Sequence, residues 1–440
     1  MPPIIALIIC TAFVLYLLWL ERKQGPEVSI LSWIPTIYML YVASKPLAVW
    51  FGAGGDDSDV GSPLDRNFLF ILLCVGLLIL IKRRFNWPKA LKENYEVLLL
   101  LGFMFISISW SDIPFTSIKR WSRELIAVIM AFLLLTESDP RQAMQSILRR
   151  TIYILIPFSY ILIHYYPHLG RMYGRWSGAQ MWVGVTMQKN GLGRLCFFAA
   201  FFIIWTLIRR WRGRDTFKVK GQTRAEILVL IITMYLFFGL GTAGSSASGQ
   251  LTFFVGLIGL LGLMILDKFK VQIGVVPLMV VIIAVIIFGT YSLFERGSTL
   301  GSFSSVTNTY NRDETLTGRT EIWEVTLPIA MQRPFVGFGV GGFWTEEYRN
   351  TLKHSDPHSG YLGTLLDFGF VGLLVFSVFL LISCGKAQKV MTEDFDWGSL
   401  WFCILLMVVF HNMVETSLNT LANHSMGLIL FLTVAIPKKT

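Results

Sequence analysis

Residues 273–293, IGVVPLMVVIIAVIIFGTYSL, run for 21 positions without one Asp, Glu, Lys or Arg. As a helix this stretch rises about 30 Å, the thickness of a bilayer's hydrocarbon core. Twelve further apolar stretches read the same way, at about 3–20, 30–50, 67–81, 95–110, 121–136, 151–166, 191–208, 225–242, 250–266, 361–383, 398–414 and 421–436. Composition agrees: 54% of the 440 residues are hydrophobic and 15% are charged, where a soluble chain carries charge on about a quarter. These values exclude a disordered chain, a disulfide-framed secreted module and a soluble enzyme. The expected fold is all-α and polytopic, with about 12–13 transmembrane helices. The last two stretches are short and read as tilted or partly re-entrant.

Orientation follows from Lys and Arg in the short loops. Residues 209–224 hold seven of them and 82–92 five more, and alternate counting puts both on one side with Lys268, Lys386 and Lys438. That side is the cytoplasm. The net charge of +10 is then a preference for anionic lipid, and nucleic acid is not an expected partner. The N-terminal segment lacks the basic start of a signal peptide and reads as a retained span. Thirteen spans put the N-terminus outside, and twelve result if the first stretch does not cross. The chain divides into a bundle over 1–293, a large external loop over 294–360 containing short helices, and C-terminal spans over 361–440. Five cysteines in or beside apolar runs read as buried thiols. All six histidines fall on external loops or the external ends of spans, so chemistry is expected on that face.

In the long loop, 318–327 (GRTEIWEVTL) reads as an amphipathic helix with Trp323 and Leu327 on one side and Arg319 one turn before Trp323. Arg319 is either functional or the solvated cation of an interfacial helix. Glu321 in the same turn is a secondary candidate. The following RPFVGFGVGGFW carries glycines that suit either close approach of backbone amides to an anion or plain hinges. In HSDPHSGYLGTLLDFGFVG, Asp356 suits an N-cap and Pro357 the first helical position, which would place His358 in the first turn of the next span. The helix dipole there favours a neutral imidazole able to accept a proton. Gly369 and Gly372 return near the face of His358 and would let another helix pack closely, whereas Asp367 falls opposite.

The loop 167–190 interleaves Arg171, Arg175 and Lys189 with aromatics, a pattern suited to a ligand with phosphate and sugar parts or to a membrane interface. Asn190 is expected to cap the next span. The pairs His164/His168, His354/His358 and His411/Glu415 have helical metal-ligand spacing, but no acidic ligand set accompanies them, and no metal is expected. Lys45 is expected to snorkel or to face a polar cavity.

Four blocks together resemble one family. His358-Ser359, nine residues, Gly369, two residues and Gly372 resemble the His-(Asn/Ser/Gln)-x9-Gly-x-x-(Gly/Thr/Tyr) signature of the O-antigen ligase and Wzy-type polymerase superfamily. GRTEIW with RPFVGFGVGGFW resembles the block before that signature. QKNGLG at 188–193 is similar to the family's HKN-x-x-G, with Gln188 replacing His, and SISWSDIPFTSIKRW at 107–121 resembles an element of the exopolysaccharide polymerase branch. The resemblance implies a GT-C-like glycosyltransferase of the bacterial inner membrane, active on the periplasmic face, with no metal, nucleotide sugar or other cofactor. Its donor would be an oligosaccharide on undecaprenyl pyrophosphate. The acceptor glycan would be another lipid-linked repeat for a polymerase, or a lipid A core sugar for a ligase. A chain-length regulator and a flippase are expected partners by the same resemblance. His358 and Arg319 map onto motif positions as the catalytic pair. Arg319, Arg175, Arg171 and Lys189 would bind the donor pyrophosphate, and His354, Glu321, His411 and Glu415 are secondary candidates.

Overall fold

Proline opens many of the helices, where a missing amide hydrogen costs nothing and the fixed φ suits the first turn. In the computed structural model it stands first in α1 (Pro3–Gln24), α3 (Pro63–Lys82), α5 (Pro114–Phe132) and α6 (Pro140–Tyr165). Side-chain caps fix several starts as well. Ser62 Oγ accepts from Leu64 N at 3.2 Å, and Asp139 Oδ1 accepts from Arg141 N at 2.9 Å. The structure describes residues 1–52, 62–173, 178, 180–214, 219–239, 246–271, 273–294, 319–352 and 356–435.

The remaining bundle helices are α2 (Trp33–Val42), α4 (Tyr95–Ile106), α7 (Lys189–Trp211), α8 (Gln222–Phe238), α9 (Ala247–Lys268) and α10 (Val275–Phe294). Two shorter helices follow, α11 (Arg319–Ala330) and α12 (Glu346–Leu352). The chain ends with α13 (Gly360–Glu393), α14 (Phe395–His411) and α15 (His424–Val434). Among the described residues, a helix stands at each of the thirteen apolar stretches. Seven are long and apolar enough to cross a membrane, and four shorter ones are strongly apolar. The chain is a multi-pass membrane protein of the all-α class, its described residues overwhelmingly helical. The sequence pattern missed a small antiparallel hairpin between α6 and α7, β1 (Arg171–Tyr173) with β2 (Gln180–Trp182), in which Arg171 pairs with Trp182.

Burial separates two kinds of helix. α14 and α15 are enclosed by protein, with Leu405, Met407, Ile429 and Leu430 fully buried. α1, α3 and α10 instead turn large apolar residues outward, among them Ile8, Leu15, Phe70, Leu78, Val280 and Ile287, as lipid-facing helices do. α13 packs against α10 and α14, and α14 against α9, so the C-terminal helices fill the middle of the bundle. Four of the five cysteines are buried and Cys74 is half-buried, all as free thiols.

α13 is not one straight rod. Gly369 has φ +62° and ψ −162°, which breaks the helix, and the segment after α11 threads into the break. Phe370 N donates to Pro334 O at 2.7 Å and Val371 N to Phe335 O at 3.0 Å, while Phe338 N reaches Leu366 O at 2.9 Å. The backbone groups freed by the kink are thereby satisfied. A Cβ at Gly369 would stand 2.4 Å from Phe335 C. The sequence expectation was a small-residue stripe for helix packing, but Gly369 admits a loop. The glycine-rich loop is itself structural: Gly337, Gly339 and Gly341 all take positive φ, Gly337 pressing against α13, Gly339 against the turn 107–111 and Gly341 against the Arg120 side chain of α5. That turn belongs to the SISWSDIP element and holds the loop from the other side. Trp110 Nε1 donates to Val336 O and Val340 N to Ser107 Oγ, both at 3.0 Å.

Candidate active site

Between α14 and α15 the chain unwinds over residues 412–423 while remaining largely buried. Irregular backbone inside a membrane bundle is tolerated only where its polar groups find partners or line a cavity. Here side chains supply them. Asn412 Oδ1 accepts from Ser417 N at 3.0 Å and Asn423 Nδ2 donates to Ser417 O at 2.7 Å. Glu124 of α5 accepts from Thr420 Oγ1 and Leu421 N, each at 2.6 Å, and from Ala422 N at 3.0 Å. Asp367 of α13, expected on the face opposite His358, accepts from Asn419 Nδ2 of this segment at 2.7 Å.

Glu415 is the hub of the site. Its Oε1 takes Arg319 Nη2 at 2.6 Å and Asn190 Nδ2 at 2.5 Å, and its Oε2 lies 4.0 Å from His358 Nδ1. Three distant parts of the chain meet on one carboxylate. Arg319 is 8% exposed and Glu415 4%, so the pair is shielded from solvent screening. Arg319 is therefore not a solvated cation on an interfacial helix. Trp323, one turn along α11, is also buried and donates its indole N–H to Pro357 O at 2.8 Å, which ties the arginine's helix to the histidine's loop.

His358 does not sit in a helix. α13 begins at Gly360 with Ser359 as its cap, because Asp356 Oδ1 instead accepts from His358 N at 2.7 Å, forming a tight turn, and from Thr416 Oγ1 at 2.5 Å. That turn holds His358 at φ +50°, a conformation an L-residue adopts only when its surroundings impose it. The expectation of an imidazole kept neutral by the helix dipole fails accordingly. Burial does act to lower the His358 pKa, but the Glu415 and Asp356 carboxylates outweigh it and Arg319 opposes them only partly, so the net shift is upward. Glu415 is also buried, which would raise its pKa, yet His358 and Arg319 hold it well below the usual carboxylate range.

Glu415 and Asp356 also form one wall of a cavity of 230 Å³, lined further by Gln188, Asn190, Thr416 and Arg194. Asn190 was expected as a helix cap, but α7 begins at Lys189 and the Asn190 side chain serves Glu415. Arg194, one turn further, was missed by sequence reasoning. Its Nε is buried without a partner, a cation held at the cavity with donors to spare. The available signal was its place one helical turn after Asn190 in QKNGLGR.

Other expected residues lie elsewhere. Arg171 donates from Nε to Ile163 O at 2.7 Å in the hairpin. Glu321 is exposed, and Lys189 is half-buried at the start of α7. His411, by contrast, does adjoin the site: Glu415 N donates to its carbonyl at 3.0 Å, while its ring is buried against Phe197, 5.2 Å away. His164 ends in α6 while His168 belongs to a separate short turn, Pro167–Gly170, so that pair does not share a helix. Arg175 and His354 lie outside the described residues. Lys45 neither snorkels nor faces a cavity: its ammonium donates to Leu169 O and, at 3.1 Å, to Gly184 O, fastening the hairpin loop to the end of α2.

Residues 228–377 match the O-antigen ligase family model, Wzy_C, a stretch that includes Arg319, the glycine loop, His358 and the Gly369 kink. The chain is also 24% identical over 316 residues to the exopolysaccharide production protein ExoQ of Rhizobium meliloti (strain 1021). That similarity covers 68% of this chain and 66% of the relative, just under two-thirds of the relative's length. The resemblance to the O-antigen ligase and Wzy-type polymerase superfamily therefore holds.

Proposed function

We propose that this chain is a glycosyltransferase of the inner membrane that polymerises undecaprenyl-pyrophosphate-linked repeat units of an exopolysaccharide or O-antigen on the periplasmic face. The observation that carries the proposal is the convergence of His358, Arg319 and Asn190 on the buried Glu415, with Arg194 at the adjoining cavity. Likeness to an exopolysaccharide production protein supports an exopolysaccharide as the product.

In this reading a hydroxyl oxygen of the acceptor sugar attacks the donor's anomeric carbon. The bond from that carbon to the pyrophosphate oxygen breaks, and its electron pair leaves with undecaprenyl pyrophosphate. The hydroxyl proton passes to His358 Nε2 as the new bond forms. Glu415 Oε2, 4.0 Å from Nδ1 and so at ion-pair distance, stabilises by its charge the imidazolium that results. Arg319 and Arg194 offset the charge growing on the leaving diphosphate in a site shielded from water. Single displacement inverts the anomeric configuration, and no step calls on a metal. A chain-length regulator and a flippase are its proposed partners.

The family's description as an O-antigen ligase supports a second reading, transfer to lipid A core. Purified protein given the lipid-linked repeat alone separates the two. The proposal expects a ladder of longer lipid-linked chains. No product until lipid A core is added would establish the ligase instead.

A further inference from the structure

A second pocket opens on the flank of the reaction cavity, between α2, α3 and α5. Its volume is 190 Å³, and Tyr38, Tyr41, Ser44, Leu69 and Arg123 line it. Val42 and Ser44 at the end of α2 are shared by both cavities, so the two spaces lie on either side of one thin wall.

Among the described residues, two polar groups in this flank pocket lack hydrogen-bond partners. Tyr38 is 1% exposed, and its hydroxyl is buried without a hydrogen bond. Such a group is rare in a native interior unless something else completes it. Arg123 stands about 13 Å along the axis of α5 from its first residue and is exposed on the flank of the bundle. Among the described residues no carboxylate or carbonyl bonds its guanidinium. Its neighbour Glu124 is turned inward and occupied by Thr420, Leu421 and Ala422. Arg123 is the third residue of the 121–136 stretch, and an exposed guanidinium at the outer end of a span is placed to meet an anionic head group. A guanidinium and a phenol O–H, both donors, suit phosphate oxygens, while Leu69 and Pro46 offer apolar surface for an attached chain.

We propose that this pocket holds the phosphate head of a second polyprenyl lipid, the one that carries the acceptor glycan. The inference rests on the polymerase reading, in which both reacting glycans are borne on lipid phosphates. The donor's diphosphate must reach Arg319 and Arg194, because it departs. The acceptor's diphosphate does not react and needs only an anchor that opens to the bilayer next to the reaction cavity. The wall at Val42 and Ser44 sets the two lipids side by side.

The test is a binding count that needs no turnover. The full-length protein in phosphatidylethanolamine nanodiscs is titrated with glycan-free undecaprenyl pyrophosphate and read by native mass spectrometry. Two molecules per chain are expected. Arg123→Gln and Tyr38→Phe should each weaken one of them by about tenfold or more while sparing the other, and Arg319→Gln should do the reverse. A single molecule per chain in the parent protein overturns the proposal, as does Arg123→Gln leaving both affinities unchanged. Equal displacement by phosphatidylglycerol also overturns it, because the pocket would then hold ordinary bilayer lipid. Failure of the polymerase reading looks different: two molecules bind, yet no lipid-linked chain lengthens.

Discussion

Glu415 joins two tasks that can be separated by substitution. Its charge raises the His358 pKa against the effect of burial, and its Oε1 anchors Arg319 and Asn190. A general base works only when deprotonated, so the acid limb of the rate profile should lie above the ordinary imidazole value. Glu415→Gln keeps the side chain's shape but removes the charge that holds that pKa up. The limb should then move to lower pH, and kcat should fall by about 10²-fold. A limb that stays in place in the pH–rate profile would show that Glu415 does not set the titration of His358. Arg194 gives a second residue-scale outcome. Arg194→Gln should cost about 10²–10³-fold in turnover, with partial recovery in Arg194→Lys, since only the planar fork of arginine binds phosphate bidentately. Equal turnover in parent and Arg194→Gln would remove this cation from the leaving-group site. The sequence singled out His358 and Arg319 by the motif positions they occupy, and the structure brings both to Glu415. Arg194 was not singled out, because what gives it meaning lies elsewhere in the fold: Glu415 is 225 positions from the Asn190 that introduces it.

At the scale of elements, the break in α13 explains why a glycine is needed eleven residues after the histidine. It admits the loop 333–342, which the turn at 107–111 holds in place from outside. Gly369→Ala faces both a positive φ and backbone atoms of Pro334 and Phe335 at 2.4 to 2.6 Å. It should destabilise the protein by about 2 kcal/mol or more and lower Tm in a detergent-solubilised thermal scan. An unchanged Tm would mean that loop and kink are not coupled. Trp323→Phe keeps the packing but loses the indole bond to Pro357 O, a milder cost of about 1 kcal/mol, and should loosen the Arg319 helix from the His358 turn. Helix positions were readable from hydropathy, because each span announces its own apolar run. The apolar run at 361–383 placed the start of α13 within one residue of Gly360, but the capping rules put it too early. Asp356 has the chemistry of a helix cap but spends it on a turn, and Ser359 caps instead. The hairpin at 171–182 was also hidden, since three-residue strands carry no period.

For the whole molecule, membrane orientation and chemistry depend on each other. The reaction cavity lies at one end of the bundle, and the arginine cluster of 209–214 lies at the other, where Arg212 and Arg214 meet Asp267 and Asp396. Asn350, exposed on α12, should react as Asn350→Cys with a membrane-impermeant maleimide added outside spheroplasts, while Thr223→Cys should react only after permeabilisation. The reverse pattern would place the site in the cytosol, away from any lipid-linked glycan exported for assembly. The account as a whole turns on His358 taking the acceptor's proton. The most direct test follows single turnover of a lipid-linked repeat by purified His358→Ala protein that retains the parent's Tm and its affinity for undecaprenyl pyrophosphate. Binding without any elongated product is the result expected, and elongation at the parent's rate would contradict the account.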